Sequence, residues 1–342
     1  MFRDLCARTN IDDGNEEYAF VVNKVSLYYE LYGELFHVAR SLYQSPSRVV
    51  DVIDTQRELA RLRAIPQPAQ RTPEWHALRN NMLTASNIWK AFGSDAQTNS
   101  LIYEKCMPAS GERMGGGGGS LQWGTTYEPV SVGIYEDKYG TKVGDFGCIP
   151  HPQHKCVGAS PDGINVDAGN SRYGRMIEIK NIVNRDITGI PKEEYWIQMQ
   201  IQMETCDLDE CDFVETRFKQ YDDEIAFYVD DTREYKGAIC VFIDRERQKP
   251  VYRYSGVRET QMKEWIDKTR AEMPEYVLFA TNYWYLDEFS CIFVPRNRRW
   301  FATALPTITS VWNTIEKERI TGCEHRAAKK KVVQPMCLIK LE

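Results

Sequence analysis

The sequence predicts an α/β fold in which a mixed central β-sheet is flanked by helices and preceded by a helical N-terminal extension. Three observations lead to this prediction. Apolar residues recur at helical spacing over 16–44, and short runs rich in β-branched and aromatic residues follow from 142 onward. Helix-like segments come before, between and after those runs. Such an alternation indicates a sheet covered by helices.

The composition is that of a globular protein that works inside a cell. The 342 residues carry a formal net charge of −6, with 42% hydrophobic and 27% charged side chains. This balance argues against a protein that coats nucleic acid, although a local basic groove is compatible with it. The ten cysteines include no Cys-x-x-Cys pair. No apolar run reaches the roughly 18 residues of a membrane span, and the N-terminus lacks the apolar segment of a secretory signal. We therefore expect an intracellular protein with free thiols.

The first 68 residues are predicted to form the helical extension. An amphipathic helix is expected over 16–44 and a second over 47–63, which the proline-bearing stretch IPQPAQRTP ends. The change of pattern there suggests three domains: an extension (1–68), a core (69–256), and a C-terminal helical and aromatic region with a basic tail (257–342).

The core begins with helices and continues with strands. Helices are predicted over 84–92, 101–105 and 121–139, and the five glycines 115–119 are predicted to form a flexible loop, either natural or an introduced linker. Strands are predicted over 142–149, 163–166, 176–182, 213–219, 225–229 and 238–244, with a helix over 191–206 among them. Beyond 257 we expect a helix to 272, a strand around 291–294 and a helix over 300–319.

Two segments of the core place acidic and basic side chains together. Pro161-Asp162-Gly163 has the composition of a turn that opens onto a strand, so Asp162 is expected at a strand start. In the run RMIEIKNIV, side chains alternate across the sheet, and Glu178 and Lys180 therefore share one face. If the two strands pair, both acids converge on one point with the lysine beside them.

This trio suits the hydrolysis of a phosphodiester. Two carboxylates supply the hard oxygen ligands that Mg²⁺ or Mn²⁺ prefers, and the cation acidifies a bound water and neutralises charge on the phosphate. The lysine can orient or help deprotonate that water and offset the negative charge that develops. Each segment by itself is more often an ordinary turn aspartate or a surface Glu–Lys pair, so the trio alone does not decide the function.

Four sequence blocks together are far more specific. In chain order they are PEWHALRNNMLTAS (73–86), WGTTYEP (123–129), GASPDG with EIK (158–163 and 178–180), and YWIQMQ (195–200). In these blocks the sequence resembles the PD-(D/E)xK nuclease superfamily, in particular the phage lambda exonuclease and YqaJ-type recombinase family, which includes alkaline exonucleases of large DNA viruses. The resemblance spans about 130 residues and implies a restriction-endonuclease-like core. The N-terminal extension lies outside it, and the C-terminal region matches loosely.

The resemblance implies a larger set of metal ligands. Glu128 would join Asp162 and Glu178 as a third carboxylate, and the backbone carbonyl of Ile179 would be a further ligand. Together they would hold two Mg²⁺ or Mn²⁺ ions, the second of which would stabilise the leaving oxygen. The alternative for Glu128 is a solvated glutamate on a helix face.

The resemblance also assigns a role to the helix around 198. Gln198 would help to position the attacking water, and Gln200 is a weaker candidate. Tyr195 and Gln202 share the helical face of Gln198. Trp123 is a further candidate, as an anchor of the helix that carries the third carboxylate. A merely structural role for the glutamines of a half-buried helix stays open.

A pocket for a terminal 5′-phosphate is implied at Arg79 and Ser86. Thr84-Ala85-Ser86 has the composition of a helix N-terminus, where free N–H groups and the helix dipole favour an anion. Arg79 would add a bidentate, permanently charged partner. Considered alone, Thr84 or Ser86 is a capping residue and Arg79 a surface charge. Such a pocket would bind a chain end and favour exonuclease action over internal cutting.

Three further motifs carry less weight. The segment C-x2-H-x2-H-x-C at 148–156 has the ligand types of zinc, but its spacing is tighter than in usual structural sites, so a structural zinc is not expected. The basic tail 325–331 would touch backbone phosphates, act as a localisation signal or form a solvated terminus. For the arginines of 296–299 beside Trp300, core packing is preferred over a nucleic-acid groove.

The function implied by the resemblance is 5′-to-3′ digestion of double-stranded DNA with a 5′-phosphate end. The context would be viral DNA recombination, replication or repair in the host cytoplasm or nucleus, with a single-strand annealing protein as a candidate partner. Similar enzymes occur as trimers and as monomers, so the oligomeric state stays open. One alternative is an endonuclease or RNA-degrading enzyme on the same core. The other is a module that holds DNA ends without cutting, which the complete Asp–Glu–Lys set disfavours.

Overall fold

Helices are distributed along the whole described chain. The computed structural model describes residues 50–68, 72–107, 119–244 and 250–327. Within them the helices are α1 (Val52–Ala64), α2 (Pro73–Asn80), α3 (Ala85–Ile88), α4 (Asp95–Cys106), α5 (Ser120–Tyr139), α6 (Glu193–Cys206), α7 (Glu224–Val229), α8 (Met262–Ala271) and α9 (Arg298–Thr321). A 3₁₀ turn at Trp89–Phe92 follows α3. None of these helices combines the length and the apolar character that a membrane crossing requires.

The strands form two sheets. Their bounds are β1 (Leu83–Thr84), β2 (Val143–Gly144), β3 (Ile149–Pro150), β4 (Val157–Ala159), β5 (Gly163–Asn165), β6 (Met176–Asn181), β7 (Glu210–Gln220), β8 (Lys236–Asp244), β9 (Pro250–Tyr254) and β10 (Tyr276–Pro295). The larger sheet has the order β2-β5-β6-β7-β10-β8-β9, and the smaller has the order β1-β4-β3. In the larger sheet β6 and β7 run parallel while the other neighbours are antiparallel. The predicted α/β class with a mixed sheet is confirmed.

Strand β6 separates two layers of the core. Its Ile177 and Ile179 pack with Tyr135 of α5 on one face. On the opposite face Glu178 and Lys180 hydrogen-bond to side chains of α6. The alternation predicted for this strand is confirmed, and it directs both charged side chains into the layer between the sheet and α6.

One predicted element is wrong and several have different bounds. The run 225–229, predicted as a strand, is part of helix α7, which Asp223 caps by accepting the N–H of Ala226 at 2.8 Å. The helix expected over 84–92 is α3 followed by a 3₁₀ turn, and the helix expected over 101–105 is the longer α4. The strand expected over 142–149 is split into β2 and β3. The strand expected around 291–294 is part of the 20-residue β10. The predicted helix 16–44, the glycines 115–118 and the basic residues 328–331 lie outside the described residues.

The hydrophobic core is continuous across the predicted domain boundaries. Leu59 and Leu62 of α1 are buried in the same cluster as Met199 of α6. Trp312 of α9 belongs to this cluster as well, and β10 pairs with both β7 and β8 inside the larger sheet. One buried cluster therefore includes residues from all three predicted ranges, 1–68, 69–256 and 257–342, in the described part of the chain.

Candidate active site

The strand pair β5–β6 brings the predicted acidic residues together. The two strands are antiparallel with Gly163 opposite Ile177, so the register, continued by one residue, sets Asp162 opposite Glu178. The Oδ2 atom of Asp162 accepts a hydrogen bond of 2.7 Å from the backbone N–H of Ile179. Asp162 is thus tied to the strand that carries the Glu-Ile-Lys run.

Lys180 and Glu178 form the charged centre of the site. The Nζ atom of Lys180 donates to Oε1 of Glu178, whose side chain is completely buried. The same ammonium lies 3.4 Å from Oε1 of Gln198 and 4.8 Å from the ring centroid of Tyr195, both on α6. Two of the candidate residues of this helix therefore face the lysine.

The surroundings of Asp162 disfavour its ionised form. Burial raises the pKa of this carboxyl well above its usual value, and the negative charges of Glu178 and Glu128 raise it further. The charge of Lys180 and the hydrogen bond from the Ile179 N–H act in the opposite direction without cancelling the rise. The acidic pair is therefore held close together against its own repulsion.

Lys180 is held in its protonated form. Burial lowers the pKa of this lysine, but the charges of Glu178 and Asp162 and the hydrogen bond to Glu178 outweigh it, so the pKa lies above its ordinary value. An ammonium offers positive charge and three donors but no lone pair. These surroundings favour an electrostatic role for the lysine over a role as proton acceptor.

The donor set fits a hard divalent cation. A cation would relieve the repulsion between Asp162 and Glu178 that contributes to the raised pKa of the aspartate. Mg²⁺ is usually held by one or two carboxylates and keeps several waters, so two acids and a carbonyl such as that of Ile179 suffice. No group of three or more His, Cys, Asp or Glu side chains is arranged as a metal site within the described residues. The charge of Glu128, the predicted third ligand, also acts on Asp162.

A second polar cluster surrounds Arg79 of α2. One terminal nitrogen of its guanidinium lies 3.4 Å from the Ser86 hydroxyl and 3.5 Å from the Thr84 hydroxyl, and these hydroxyls are 3.4 Å apart. The other terminal nitrogen lies 3.4 Å from the hydroxyl of Ser160, in the segment that leads into β5. The guanidinium carbon is 4.5 Å from the centroid of the Trp75 ring. The structure thus brings the three predicted phosphate-binding residues together.

The charge of Glu104 acts on both cations of this cluster, Arg79 and Lys105. Within the described ranges, Arg79 has no carboxylate at ion-pair distance, and its guanidinium contacts hydroxyls and an aromatic ring. Lys105 donates to the backbone oxygen of Arg79 at 2.6 Å, and burial, followed by the charge of Arg79, lowers the pKa of Lys105 to about 8. The backbone N–H of Thr84 donates to the side chain of Asn87 at 3.0 Å, so this N–H is not among the donors that the cluster offers to an anion.

Two lower-ranked candidates have other partners. Gln200 donates to the carbonyl of Pro295 at 3.0 Å and accepts the N–H of Asn297 at 2.6 Å, so it joins α6 to the start of α9. Trp123 packs against Tyr127 with ring centroids 4.4 Å apart, within an aromatic cluster that anchors α5. The structure does not bring either residue into contact with the acidic pair.

Two residues without a predicted role, Gln202 and Ser160, take part in the site. Gln202 donates to Oε2 of Glu178 at 2.7 Å and to the carbonyl of Ser160 at 3.3 Å. The signal for Gln202 is present in the sequence, because it lies four residues after Gln198 on one face of a helix. No local sequence pattern indicates a role for Ser160, because its hydroxyl contacts Arg79 only through the packing of two segments that are distant in sequence.

The segment proposed and disfavoured as a zinc site makes local contacts. The Nδ1 atom of His151 accepts the backbone N–H groups of Gln153 and His154, each at 3.1 Å. Its ring stacks on Phe301 with centroids 5.5 Å apart. Burial, followed by the charge of His154, lowers the pKa of His151 to about 4. The histidine is therefore held as a neutral ring within the packing of α9.

The arginine-rich start of α9 is likewise engaged in packing. Arg296 and Arg298 form ion pairs with acidic residues of 204–209. The Trp300 ring packs edge-on against Trp196, with centroids 5.1 Å apart. These contacts agree with the core-packing interpretation of this segment.

Comparison with known proteins supports the resemblance to this family. Residues 74–209 match the family model of the YqaJ-like viral recombinase domain, and the predicted resemblance to that family is confirmed. The matched stretch contains all the candidate site residues. An uncharacterized protein of Acanthamoeba polyphaga mimivirus is 24% identical over 300 residues, which cover 74% of this chain and 54% of that protein. The chain thus spans about half the length of this relative.

Solved structures with weaker similarity include exonucleases. The alkaline exonuclease of Laribacter hongkongensis is 22% identical with a TM-score of 0.46, covering 73% of this chain and 95% of that one. The structure of the same enzyme in complex with dAMP is 23% identical with a TM-score of 0.45, and it covers the same shares of the two chains. A phage-related exonuclease of Haemophilus somnus is 14% identical with a TM-score of 0.40, covering 74% and 99% of the two chains. The resemblance to the family rests on the match of residues 74–209 and not on these values.

Proposed function

We propose that this chain is a Mg²⁺-dependent deoxyribonuclease that digests double-stranded DNA from 5′-phosphorylated ends in the 5′-to-3′ direction. The observation that carries the proposal is the meeting of Asp162, Glu178 and Lys180 across β5 and β6. Two acids and a protonated lysine at one point are suited to phosphodiester chemistry. The match to a viral recombinase domain supports DNA as the substrate.

The proposed reaction is hydrolysis of the bond between phosphorus and the 3′-oxygen. Water adds to phosphorus, the bond to the 3′-oxygen breaks, and one proton of the water ends on that oxygen. Asp162, Glu178 and the carbonyl of Ile179 would hold Mg²⁺, which when bound supplies a more acidic water and neutralises phosphate charge. Lys180 stabilises negative charge on the phosphate oxygens in the transition state. Gln198, 3.4 Å from the lysine nitrogen, orients the water.

The Arg79 cluster would select the end of the strand. Its guanidinium and the hydroxyls of Thr84, Ser86 and Ser160 offer charge and hydrogen bonds to a terminal 5′-phosphate. Ser160 precedes Asp162 by two residues, so the cluster and the acidic pair are close along the chain. Breaking the bond to the 3′-oxygen leaves a new 5′-phosphate on the shortened strand. Each cut therefore regenerates the group that the cluster binds.

A digestion assay with purified wild-type protein tests the proposal. We expect linear 5′-phosphorylated duplex to be degraded in Mg²⁺ or Mn²⁺, and to persist in EDTA. Covalently closed circular DNA should persist in all three conditions because it has no end. Nicking of the circle or digestion of RNA would support an alternative nuclease activity. Tight binding of linear DNA without any loss in Mg²⁺ would support the non-cutting alternative.

Replacing Arg79 with alanine is expected to raise the KM for 5′-phosphorylated duplex by about 10- to 100-fold, because a hydrogen bond to a charged group contributes about 1.5–3 kcal/mol. The rate on 5′-hydroxyl duplex should change little. Steady-state digestion of the two duplexes measures both effects. Arg57→Ala, in an exposed arginine of α1 paired with Asp54, is the control and should alter neither rate. Equal losses on both substrates would mean that Arg79 supports the fold and does not bind ends.

A further inference from the structure

Gln202 is a buried amide held between the two parts of the site. Its side chain is completely buried on α6. Its Nε2 atom donates at 2.7 Å to Oε2 of Glu178 and at 3.3 Å to the backbone carbonyl of Ser160. A carboxylate and a carbonyl are both acceptors, so both hydrogens of the amide nitrogen are in use.

The orientation of this amide is determined by its two partners. In the flipped orientation, Oε1 of Gln202 would face the carboxylate of Glu178 and the carbonyl of Ser160, and three acceptors would meet without a hydrogen. In the observed orientation, Oε1 is buried and finds no donor in the part of the chain that the structure describes. An unpaired buried acceptor is unfavourable. The contacts to Glu178 and Ser160 therefore outweigh this loss.

Glu178 is held by two donors of different character. Its Oε1 receives the ammonium of Lys180, and its Oε2 receives the neutral amide of Gln202. An ammonium competes by charge with a divalent cation for the carboxylate. A neutral amide orients the carboxylate without cancelling its charge, as outer partners of metal ligands commonly do. Gln202 is therefore suited to hold Glu178 while a cation is bound.

Ser160 connects this contact to the Arg79 cluster. Its carbonyl accepts from Gln202, and its hydroxyl accepts from Arg79 at 3.4 Å. Asp162 follows two residues later. One buried side chain thus contacts Glu178 on β6 and the separate segment that leads to the other acid.

We propose that Gln202 is a positioning residue that sets Glu178 relative to the segment 160–162, so that Glu178 and Asp162 face one divalent cation. The inference rests on the function proposed above. Gln202 acts through Glu178 and Ser160 and has no contact with DNA in this role. Its loss weakens cation binding and lowers the rate of the chemical step more than it weakens the binding of DNA ends.

The variant Gln202→Met tests this role, because it nearly keeps the side-chain volume and removes both hydrogen bonds. Mn²⁺ binding is measured on DNA-free protein by calorimetry, and digestion of 5′-phosphorylated duplex is followed over a range of Mn²⁺ concentrations. We expect Mn²⁺ to bind about 10-fold more weakly. The kcat should fall and be partly restored by excess Mn²⁺, with an unchanged KM for DNA ends. If the methionine variant does not fold, Gln202→Asn, which is too short to reach both partners, is expected to show the same weakening.

Gln200→Met is the matched control. Gln200 lies on the same helix, is also buried, and makes two hydrogen bonds, but to the backbone of Pro295 and Asn297. Its Mn²⁺ affinity and kcat should stay close to those of the wild type. Equal effects of the two methionine variants on Mn²⁺ affinity would overturn the inference and leave the proposed function standing. A wild-type protein that neither binds Mn²⁺ nor digests DNA would overturn the proposed function, and the inference with it.

Discussion

Replacing Lys180 with alanine is expected to lower the rate of DNA-end digestion by about 10³-fold, the upper range for the loss of one group that stabilises transition-state charge. The lysine lies at hydrogen-bond distance from Glu178 and 3.4 Å from Gln198, and its surroundings keep it protonated. Alanine removes the positive charge and leaves the acidic pair in place. Binding of DNA ends should persist, because the Arg79 cluster is untouched.

The measurement is a single-turnover digestion of 5′-phosphorylated duplex in saturating Mn²⁺, with end binding followed separately by fluorescence anisotropy in EDTA. Saturating cation matters because the alanine variant leaves two acids without their ammonium, and bound Mn²⁺ compensates for that charge. Lys142→Ala is the control: this lysine is also paired with a glutamate, Glu136 at 2.8 Å, but it is exposed. A Lys180→Ala variant that keeps more than a tenth of the wild-type rate would contradict the role assigned to the lysine.

The charged strand of the site could be predicted because its signal is local. Alternation in the run RMIEIKNIV determines that Glu178 and Lys180 share a face, and any strand with this sequence would present them together. The turn residues around Asp162 likewise mark the start of the neighbouring strand. The hydrogen-bond partners of Glu178 on α6 could not be predicted from a local signal, because they depend on how α6 is rotated against the sheet. Three alternating glutamines are compatible with either face, and the packing selects Gln198 and Gln202 for the site.

Two parts of the fold could not be predicted for physical reasons. The apolar run IAFYV at 225–229 resembles a strand, yet Asp223 caps it as a short helix, in which Ile225 and Val229 remain exposed. Local hydrogen bonding outweighs β-propensity there. The long strand β10 has irregular register at Leu278/Ala280 and Leu286/Glu288, and these interruptions break the alternation on which strand prediction depends.

Replacing Asp162 with asparagine is expected to lower the rate of digestion strongly and, at the same time, to stabilise the cation-free protein. Burial, followed by the charges of Glu178 and Glu128, raises the pKa of Asp162 well above its usual value. When the pKa of an acid is higher in the folded than in the unfolded protein, the free energy of unfolding falls as the pH rises from the unfolded-state pKa to the folded-state pKa. Above the folded-state pKa the full loss of stability is present. Asparagine removes the charge and keeps an oxygen that can accept the N–H of Ile179. For a chain of 342 residues, each kcal/mol of relieved repulsion raises the Tm by about 1–2 °C.

Thermal unfolding in EDTA and in Mn²⁺ separates the two effects. In EDTA at pH 8, Asp162→Asn should have a higher Tm than the wild type. This difference in Tm should shrink as the pH is lowered toward about 3.9, the pKa of aspartate in the unfolded chain. Mn²⁺ at 100 times its Kd should stabilise the wild type by about 2.7 kcal/mol and the variant much less. Digestion should fall by about 10³-fold, equal to roughly 4 kcal/mol of transition-state stabilisation. The control Asp145→Asn changes an exposed aspartate and should alter neither property.

A reversal of the stability order between EDTA and Mn²⁺ would connect Asp162 to the cation by a measurement that does not involve DNA. If Asp162 had only a structural role, the variant would be less stable in both conditions, because its contact with Ile179 would be weakened without any gain. A variant that melts below the wild type in EDTA at pH 8 would mean that Lys180 already balances Asp162. The acidic pair would then have no need of a divalent cation in the resting protein, and the metal-dependent mechanism would lose its electrostatic basis.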